Sequence, residues 1–421
     1  MKKVVLCFQI HQPLRLKRYR FFDLGTDHYY YDDYANEARI RNLAEHAYLP
    51  ANKVLLDAIA RFGKQFKVAF AISGTALDQF ELYAPELIES FKAMAASGSV
   101  EFLGMPENHS LSFMGHKEVF VEEVKQHSKR IKRYFGQQPV SFFNTQMIYS
   151  NEIGNTVFDL GFQNVVTEGA KHVLGWKSPN YLYSNAANPR QRLLLRNGIL
   201  SDDIAFNFSN PDWVEFPLTA DKFARWLASG SQQEENLVLA IDYGAFGERN
   251  PYSSGIFDFL RYLPAEIIAN PALQMATPSE VASTNQSVGS LNVEHPISWA
   301  DEEKDLTAWL GNELQQEAFN KLYELSPKIG SIKDPEILMD WKYLQNSNHM
   351  RFMSTKFFST GKIFTVANPY ESPYDAFINY MNILSDFALR VDRALEDKPI
   401  RQKKQPASDQ GVKRRAKASG R

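Results

Sequence analysis

The sequence lacks the features of a disulfide-stabilised, membrane-spanning or nucleic-acid-binding protein. Cys7 is the one cysteine among 421 residues, so no disulfide can form within the chain, which fits a reducing compartment. No segment approaches the roughly 20 apolar residues of a membrane helix, and the short apolar stretch after Met1 has no secretory cleavage pattern. The net charge is only −2, too small for a global field that attracts polyanions. We therefore expect a cytoplasmic protein with neither nucleic acid nor membrane as its partner.

The motifs that hold phosphates or metals are also missing. The chain has no glycine-rich loop ending in Lys-Ser or Lys-Thr, and no His-Glu-x-x-His pattern. His109 and His116 are isolated from other ligand-type residues, so they are interpreted as ordinary loop histidines. The sequence thus predicts no metal and no cofactor.

Aromatic residues are abundant, with 30 Phe, 19 Tyr and 6 Trp making up 13% of the chain. A large core accounts for such a surplus, and stacking on sugars or bases is the alternative. The length suits a large barrel with a smaller second unit.

Apolar runs that end on polar residues recur along the first 285 residues. The clearest spans residues 237–241 and ends on Asp242, followed at once by small, turn-forming residues. Unbroken apolar runs are typical of parallel strands buried on both faces. The predicted strands are 4–10, 68–72, 99–104, 140–143, 163–166, 204–208, 237–242 and 273–276, and helical patterns occur between them, as at 48–61, 76–94, 117–134 and 221–228.

This alternation predicts an α/β fold whose strands close into a (β/α) barrel, with a doubly wound open sheet as the alternative. In a barrel, the residues that close each strand meet at one mouth. The residues expected there are His11, Ser73, Glu107 or His109, Gln146, Glu168 and Asp242. Residues 14–45 are too long for a plain connection and suggest a folded rim insertion.

The pattern changes near residue 285, after which helical spacing dominates. We predict a barrel domain at 1–285 and a helical C-terminal domain at 286–396. Residues 397–421 are rich in Lys and Arg with few apolar residues, and they are predicted to form a disordered basic tail.

Three separated motifs together resemble glycoside hydrolase family 57, in particular its α-amylase branch. They are His-Gln-Pro at 11–13, Asn-Thr-Gln-Met-Ile-Tyr-Ser at 144–150 and Asp-Tyr-Gly-Ala-Phe-Gly-Glu at 242–248, and the resemblance extends over about residues 3–390. The resemblance implies an incomplete, seven-stranded (β/α) barrel followed by an α-helical C-terminal region. It also implies retaining cleavage or transfer at α-glucosidic bonds, without a metal.

The resemblance places the family's acid/base on Asp242 and its nucleophilic glutamate on the position of Gln146. It further implies a substrate-binding set of His11, Gln12, His109, Trp299 and Asp301. The expected ligand is an α-glucan or maltooligosaccharide, and the oligomeric state stays open.

Gln146 departs from the chemistry that retaining cleavage requires. That reaction uses two carboxyl groups about 5–5.5 Å apart, one as proton donor and one as nucleophile. An amide keeps the shape of a carboxyl but carries no charge and cannot form the glycosyl ester. Gly244, Met105 and Arg249 are further departures, standing where the resemblance leads us to expect Glu, Glu and His.

Three functions remain open from the sequence. The first is a catalytically impaired α-amylase-like protein that still binds glucan. The second is an active α-amylase or 4-α-glucanotransferase with a substitute acid, for which Glu107 and Glu152 are the candidates. The third is a scaffold or regulatory protein without a sugar function.

Overall fold

A ten-stranded, mostly parallel sheet forms the centre of the computed structural model, which describes residues 1–231, 233–356 and 368–396. The predicted basic tail at 397–421 lies outside the described residues. The strands are β1 (Lys2–Ile10), β2 (Val68–Ile72), β3 (Val100–Phe102), β4 (Ser141–Phe143), β5 (Asn164–Glu168), β6 (Leu182–Asn185), β7 (Asn188–Arg196), β8 (Asn236–Asp242), β9 (Leu273–Met275) and β10 (Ser290–Leu291).

Seven of these strands form one parallel series, in the order β3, β2, β1, β8, β7, β5 and β4. The two outer strands of the series also approach each other. The Gly104 amide, just after β3, donates to the Ser141 carbonyl at 2.9 Å, and the Phe143 amide donates to the Gly104 carbonyl at 2.8 Å. These bonds bring the ends of β3 and β4 together.

Both faces of the central strands are buried, as their apolar runs predict. Along β1, Val5 and Cys7 belong to one core cluster, whereas the alternating Val4, Leu6 and Phe8 belong to another. In β8, Val238 and Ala240 share the cluster of Val5, and Asp242 follows on the same face because side chains alternate along a strand. The acid therefore ends a row of core residues.

Helices connect and cover the strands. They are α1 (Asp33–Leu43), α2 (Leu49–Phe62), α3 (Gly74–Tyr83), α4 (Pro85–Ala96), α5 (Ser112–Gly115), α6 (Lys117–Phe135), α7 (Asn151–Asp159), α8 (Lys171–Leu174), α9 (Gly198–Asp202), α10 (Ala220–Ala228), α11 (Ile256–Ala269), α12 (Pro278–Thr284), α13 (Thr307–Leu310), α14 (Glu313–Tyr323), α15 (Ser326–Ile329), α16 (Pro335–Leu344), α17 (Ser347–Phe352) and α18 (Pro373–Glu396). Within the described ranges, none of these helices is both long and apolar enough to cross a membrane.

The prediction of an α/β fold around a parallel sheet is confirmed, but several elements differ. The predicted strand at 204–208 is wrong, because Asp203–Asn207 instead continues α9 as a π-helical turn. The strands of that region are the antiparallel hairpin β6–β7, which the sequence did not reveal. The helical pattern at 76–94 is two helices, separated where Pro85 begins α4.

The region after residue 285 begins by joining the sheet, and in the described part of the chain helices dominate it from Thr307. Ser290–Leu291 pairs with β6, so the chain just after the predicted boundary at residue 285 is hydrogen-bonded to the sheet. Helical residues such as Trp341 and Phe387 belong to the same core cluster as Val5 of β1. The domain boundary at 285/286 stays a prediction.

Candidate functional site

Asp242 ends β8 and is partly accessible at the carboxyl ends of the parallel strands, which we call the mouth. Its Oδ1 accepts a hydrogen bond from the Gly244 amide at 2.9 Å. Loss of hydration raises the pKa of Asp242 to about 6, a shift that nearby Arg249 opposes and Glu248 reinforces. A carboxyl with this pKa holds a proton in mildly acidic solution, as a general acid must.

A second carboxylate, which sequence reasoning missed, stands beside Asp242. A Cβ built on Gly244 would lie 2.5 Å from Glu248 Oε2 and 2.8 Å from Asp242 Oδ1. Because both distances are measured from the same point, the two oxygens are at most about 5 Å apart. This separation is comparable to the spacing of the two carboxyl groups in retaining glycosidases. Arg39, from α1, forms an ion pair with Glu248. Glycine at position 244, a departure noted in the sequence, thus leaves space that the Glu248 side chain fills.

His11 and His109 lie together on the opposite side of β1. Their rings stack at 3.8 Å between centroids, with an interplanar angle of 11°. His11 Nδ1 contacts Ser73 Oγ at 2.8 Å and its Nε2 contacts Asn346 Nδ2 at 3.2 Å. Burial lowers the pKa of His11 to about 3 and also lowers that of His109, so both rings are neutral near pH 7.

Gln9 connects this histidine pair to Asp242. It is the register partner of Asp242 across β1 and β8, and its Nε2 lies 2.6 Å from His109 Nε2. Gln9 Oε1 is buried and makes no hydrogen bond within the described part of the chain. An unpaired buried acceptor is costly, so a hydroxyl donor at this point would be stabilised.

Gln12 contacts Tyr48, which lies in the helical segment between α1 and α2. Its Nε2 donates to Tyr48 Oη at 3.3 Å, and the Tyr48 ring stacks on Tyr243 at 5.6 Å. The charge of Asp242 helps to raise the pKa of Tyr48, after the larger effect of burial. Gln12 therefore contacts a tyrosine that packs against Tyr243, the residue directly after Asp242.

Gln146 follows β4 and is held by Trp299. The Trp299 indole Nε1 donates to Gln146 Oε1 at 2.6 Å, and the Trp299 amide donates to the Gln146 carbonyl at 3.2 Å. Gln146 is only 7% exposed and has a left-handed backbone with φ 53°, a conformation that costs free energy outside glycine. The indole contact, from a residue 153 positions away, orients this amide, and the second contact holds the Gln146 backbone.

Arg196, at the end of β7, lies under Trp299 and was not predicted from the sequence. Its guanidinium is 5.6 Å from the Trp299 ring centroid, and its Nε donates to the Ala240 carbonyl at 2.8 Å. It pairs with Glu168 at 3.0 Å and with Asp202. Burial opposes its charge, but the two carboxylates outweigh that effect and raise its pKa. Through Arg196, the Gln146–Trp299 pair is connected to β8 two residues before Asp242.

Asp301 lies two residues after Trp299, and its side chain, 7% exposed, lies among cations. It contacts Arg351 at 3.3 Å and Lys356 at 3.5 Å. These contacts connect the segment carrying Trp299 to α17 and the residues just after it.

The two substitute acids considered from the sequence are both engaged in ion pairs. Glu107 is buried and pairs with Arg130 at 2.8 Å, and burial raises its pKa. Glu152 is exposed on α7 and pairs with Lys117 at 3.2 Å. Met105, another departure, is fully buried in the core. Among described residues, no hydrogen bond joins Gln146 directly to Asp242, and no cluster of His, Cys, Asp and Glu has a metal-binding arrangement.

Residues 5–294 match the sequence model of glycosyl hydrolase family 57. The chain belongs to this family. A protein from Methanocaldococcus jannaschii, described as a "Putative alpha-amylase", is 36% identical over 427 residues, which cover 97% of this chain and 90% of that protein. The resemblance drawn from the three sequence motifs is thereby confirmed.

Solved structures of family 57 enzymes share the fold. A branching enzyme from Thermococcus kodakaraensis superposes with a TM-score of 0.68 at 10% identity, covering 94% of this chain and 92% of that one. A 4-alpha-glucanotransferase from Thermococcus litoralis gives 0.64 at 14% identity; 83% of this chain is covered, but only 56% of that chain. At such identities the likeness concerns the fold alone.

Proposed function

We propose that this family 57 protein binds α-1,4-glucan at the mouth and is impaired in hydrolysis because position 146 carries no nucleophile. The observation that carries the proposal is the pairing of Gln146 with Trp299. The Trp299 indole N–H fixes an uncharged amide at position 146, and the family resemblance implies a nucleophilic glutamate at that position. Asp242 supplies the acid/base position, with its pKa raised to about 6.

The chemistry follows from what an amide can do. Gln146 can accept and donate hydrogen bonds, but it cannot attack the anomeric carbon to form a glycosyl ester. It also offers no negative charge to a developing oxocarbenium ion. Losing one such electrostatic partner costs on the order of 3–4 kcal/mol in the transition state. Ground-state binding depends less on that charge, since it uses neutral contacts around a glucose unit.

The proposal assigns the mouth residues to binding. His11 and Gln12 would contact the sugar on one side, while the buried His109 and Gln9 would support His11 from behind. Trp299 and Asp301 would shape the other side. We further propose that the seven parallel strands form a closed barrel, which the Gly104 bonds between β3 and β4 support, with residues 286–396 as a helical unit on it.

Calorimetry with maltoheptaose and glycogen, combined with a reducing-sugar assay, tests this function. We expect saturable glucan binding and hydrolysis at least about a hundredfold below that of the Gln146→Glu variant. A folded protein that binds no α-glucan would contradict the proposal and favour a scaffold role. Hydrolysis equal in the parent and the Gln146→Glu variant would contradict the impaired chemistry.

A second candidate, an active glucan hydrolase or transferase, is favoured by one observation. Glu248 stands close enough to Asp242 to serve as the second carboxyl of a retaining pair. In this case Glu248 would attack the anomeric carbon, and Asp242 would protonate the leaving oxygen and then activate water.

Variants of the two acids separate the candidates. If the parent is active through Glu248, then Glu248→Gln and Asp242→Asn each abolish cleavage of maltoheptaose, whereas Glu152→Gln, on exposed α7, leaves it unchanged. Parent activity that survives Glu248→Gln would exclude this second candidate.

A further inference from the structure

A cavity of about 620 Å³ lies between the segment after β1 and the C-terminal helices. It is bounded by the segment that follows β1, by α3, by α16 and by the end of α18. None of the seven residues assigned to the mouth from the sequence lines it. Its volume falls within the range of about 300–1,000 Å³ that is typical of small-molecule sites.

Tyrosine rings form one wall of the cavity. Tyr29, Tyr31 and Tyr343 follow one another edge to face, with centroids 5.6 and 5.5 Å apart. The Tyr29 side chain is half exposed, at 50%, and offers its ring at the cavity rim. Leu82 and Met339, at 69% and 53% exposure, continue this rim on α3 and α16. Such a wall can receive the apolar face of a flat ligand.

The wall is held in place by a buried acid. Asp386 on α18 accepts hydrogen bonds from the Gly25 amide at 2.7 Å and from Tyr30 Oη at 2.6 Å, and it pairs with His28 at 2.8 Å. The Asp386 side chain is fully buried, so these contacts are shielded from water. The segment that carries Tyr29 and Tyr31 is therefore fixed before any ligand arrives, which lowers the entropic cost of binding.

The charged side chains of the lining are mostly acidic. Five carboxyl groups line the cavity, those of Asp27, Asp33, Asp78, Glu336 and Asp340, against a single arginine, Arg390. Tyrosine hydroxyls orient two of the acids, with Tyr31 Oη donating to Asp340 at 2.7 Å and Tyr29 Oη to Asp33 at 2.6 Å. Three of the five carboxyl groups are already ion-paired, Asp27 with Lys17, Asp78 with Arg130 and Lys342, and Asp340 with Arg390. The lining is therefore close to neutral and offers carboxylate acceptors to a neutral ligand rich in hydroxyl donors.

We propose that this cavity is a second binding site for a short α-glucan chain, separate from the mouth. Glucose rings would pack on Tyr29 and the neighbouring apolar rim, and their hydroxyls would donate to the carboxylates. The choice of α-glucan among neutral saccharides rests on the proposed function, whereas the presence of the cavity is independent of that function. Asp78, in the cavity lining, pairs with Lys342 and Arg130, and Arg130 also pairs with Glu107 in the loop after β3. Arg130 therefore lies between the cavity and Glu107.

Glucan binding by full-length variants tests the second site. Tyr29→Ala removes the ring platform, and Met339→Arg fills the cavity from an exposed helix position. Tyr34→Ala is the matched control, because Tyr34 is 86% exposed on α1 and does not line the cavity. Asp242→Leu perturbs the mouth. The measurements are retardation in glycogen-containing native gels and calorimetry with maltoheptaose, with circular dichroism to establish folding.

We expect two classes of binding site in the parent. Tyr29→Ala and Met339→Arg should each lower the glucan affinity of one class about tenfold or more. The other class, which depends on Asp242, should be unchanged in these variants, and Tyr34→Ala should bind as the parent does. If both cavity variants bind glucan as Tyr34→Ala does, the second site is refuted and the mouth proposal stands. Binding that both cavity variants lose and Asp242→Leu retains supports the cavity and refutes binding at the mouth. If the parent binds no α-glucan, both proposals are wrong.

Discussion

Replacing Gln146 by glutamate restores the carboxylate that a retaining mechanism needs, and its surroundings set the size of the expected effect. The side chain is 7% exposed and already accepts the Trp299 indole N–H at 2.6 Å. With a carboxylate this bond becomes charge-assisted, which makes it roughly twice as strong as a neutral one. The buried Arg196 guanidinium, 5.6 Å from the Trp299 ring centroid, adds a favourable positive charge nearby.

These contacts predict that Gln146→Glu folds and gains activity. A correctly placed charge at the reacting centre is worth about 3–4 kcal/mol, or a factor of roughly 10²–10³ in rate. The assay is release of reducing ends from maltoheptaose, with transfer products separated by chromatography. Gln146→Asp is the matched control, because it restores the charge one methylene too short to reach the same point.

The double variant Gln146→Glu/Asp242→Asn should return to the parent's level, because it lacks the proton donor. The reasoning would be refuted by a folded, glucan-binding Gln146→Glu protein whose cleavage stays at the level of that double variant. Such a result would mean that the changes at positions 244 and 249 alone suffice to disable the site.

Three further outcomes follow from the charges around the mouth. Because burial raises the Asp242 pKa above its unfolded value, the folded state binds the proton more tightly, and stability falls as pH rises from about 4 to about 6. Asp242→Asn should flatten that part of a urea-unfolding profile measured against pH. Arg196→Met should cost about 3–5 kcal/mol of unfolding free energy, measured with denaturant, since it leaves Glu168 buried without its cation. The double variant Arg196→Met/Glu168→Gln should recover part of the loss, and an additive result would contradict the buried-pair argument. Glu248→Gln should lower the Asp242 pKa, seen by NMR titration of that carboxyl, because Glu248 raises it; an unchanged pKa would show that the two acids do not interact.

The position of Glu248 also changes how the substitutions of this chain are interpreted. Gly244 appeared in the sequence as the loss of an acid. In the structure, its missing side chain admits the Glu248 carboxylate, which Arg39 holds beside Asp242. A negative charge next to Asp242 is therefore supplied by a residue four positions after Gly244.

The sequence by itself determined the family, the parallel strands and the residue that ends β8. Long apolar runs predict strands that are buried on both faces, because a buried position is usually occupied by an apolar residue. The predicted bounds of β1, β2 and β8 agree with the observed strands to within two residues. The hairpin β6–β7 escaped prediction because β7 begins with exposed polar residues, and the apolar 204–208 segment packs as a helical turn instead.

Only the tertiary structure decided which side chains share the mouth. No sequence periodicity indicates the hydrogen bond between Trp299 and Gln146, the ion pairs of Arg196, or the position of Glu248 next to Gly244. Each depends on which strand ends and loops are brought together, and that is set by packing across the whole core. A residue's own type therefore reports that it is buried, but not which distant side chain it contacts.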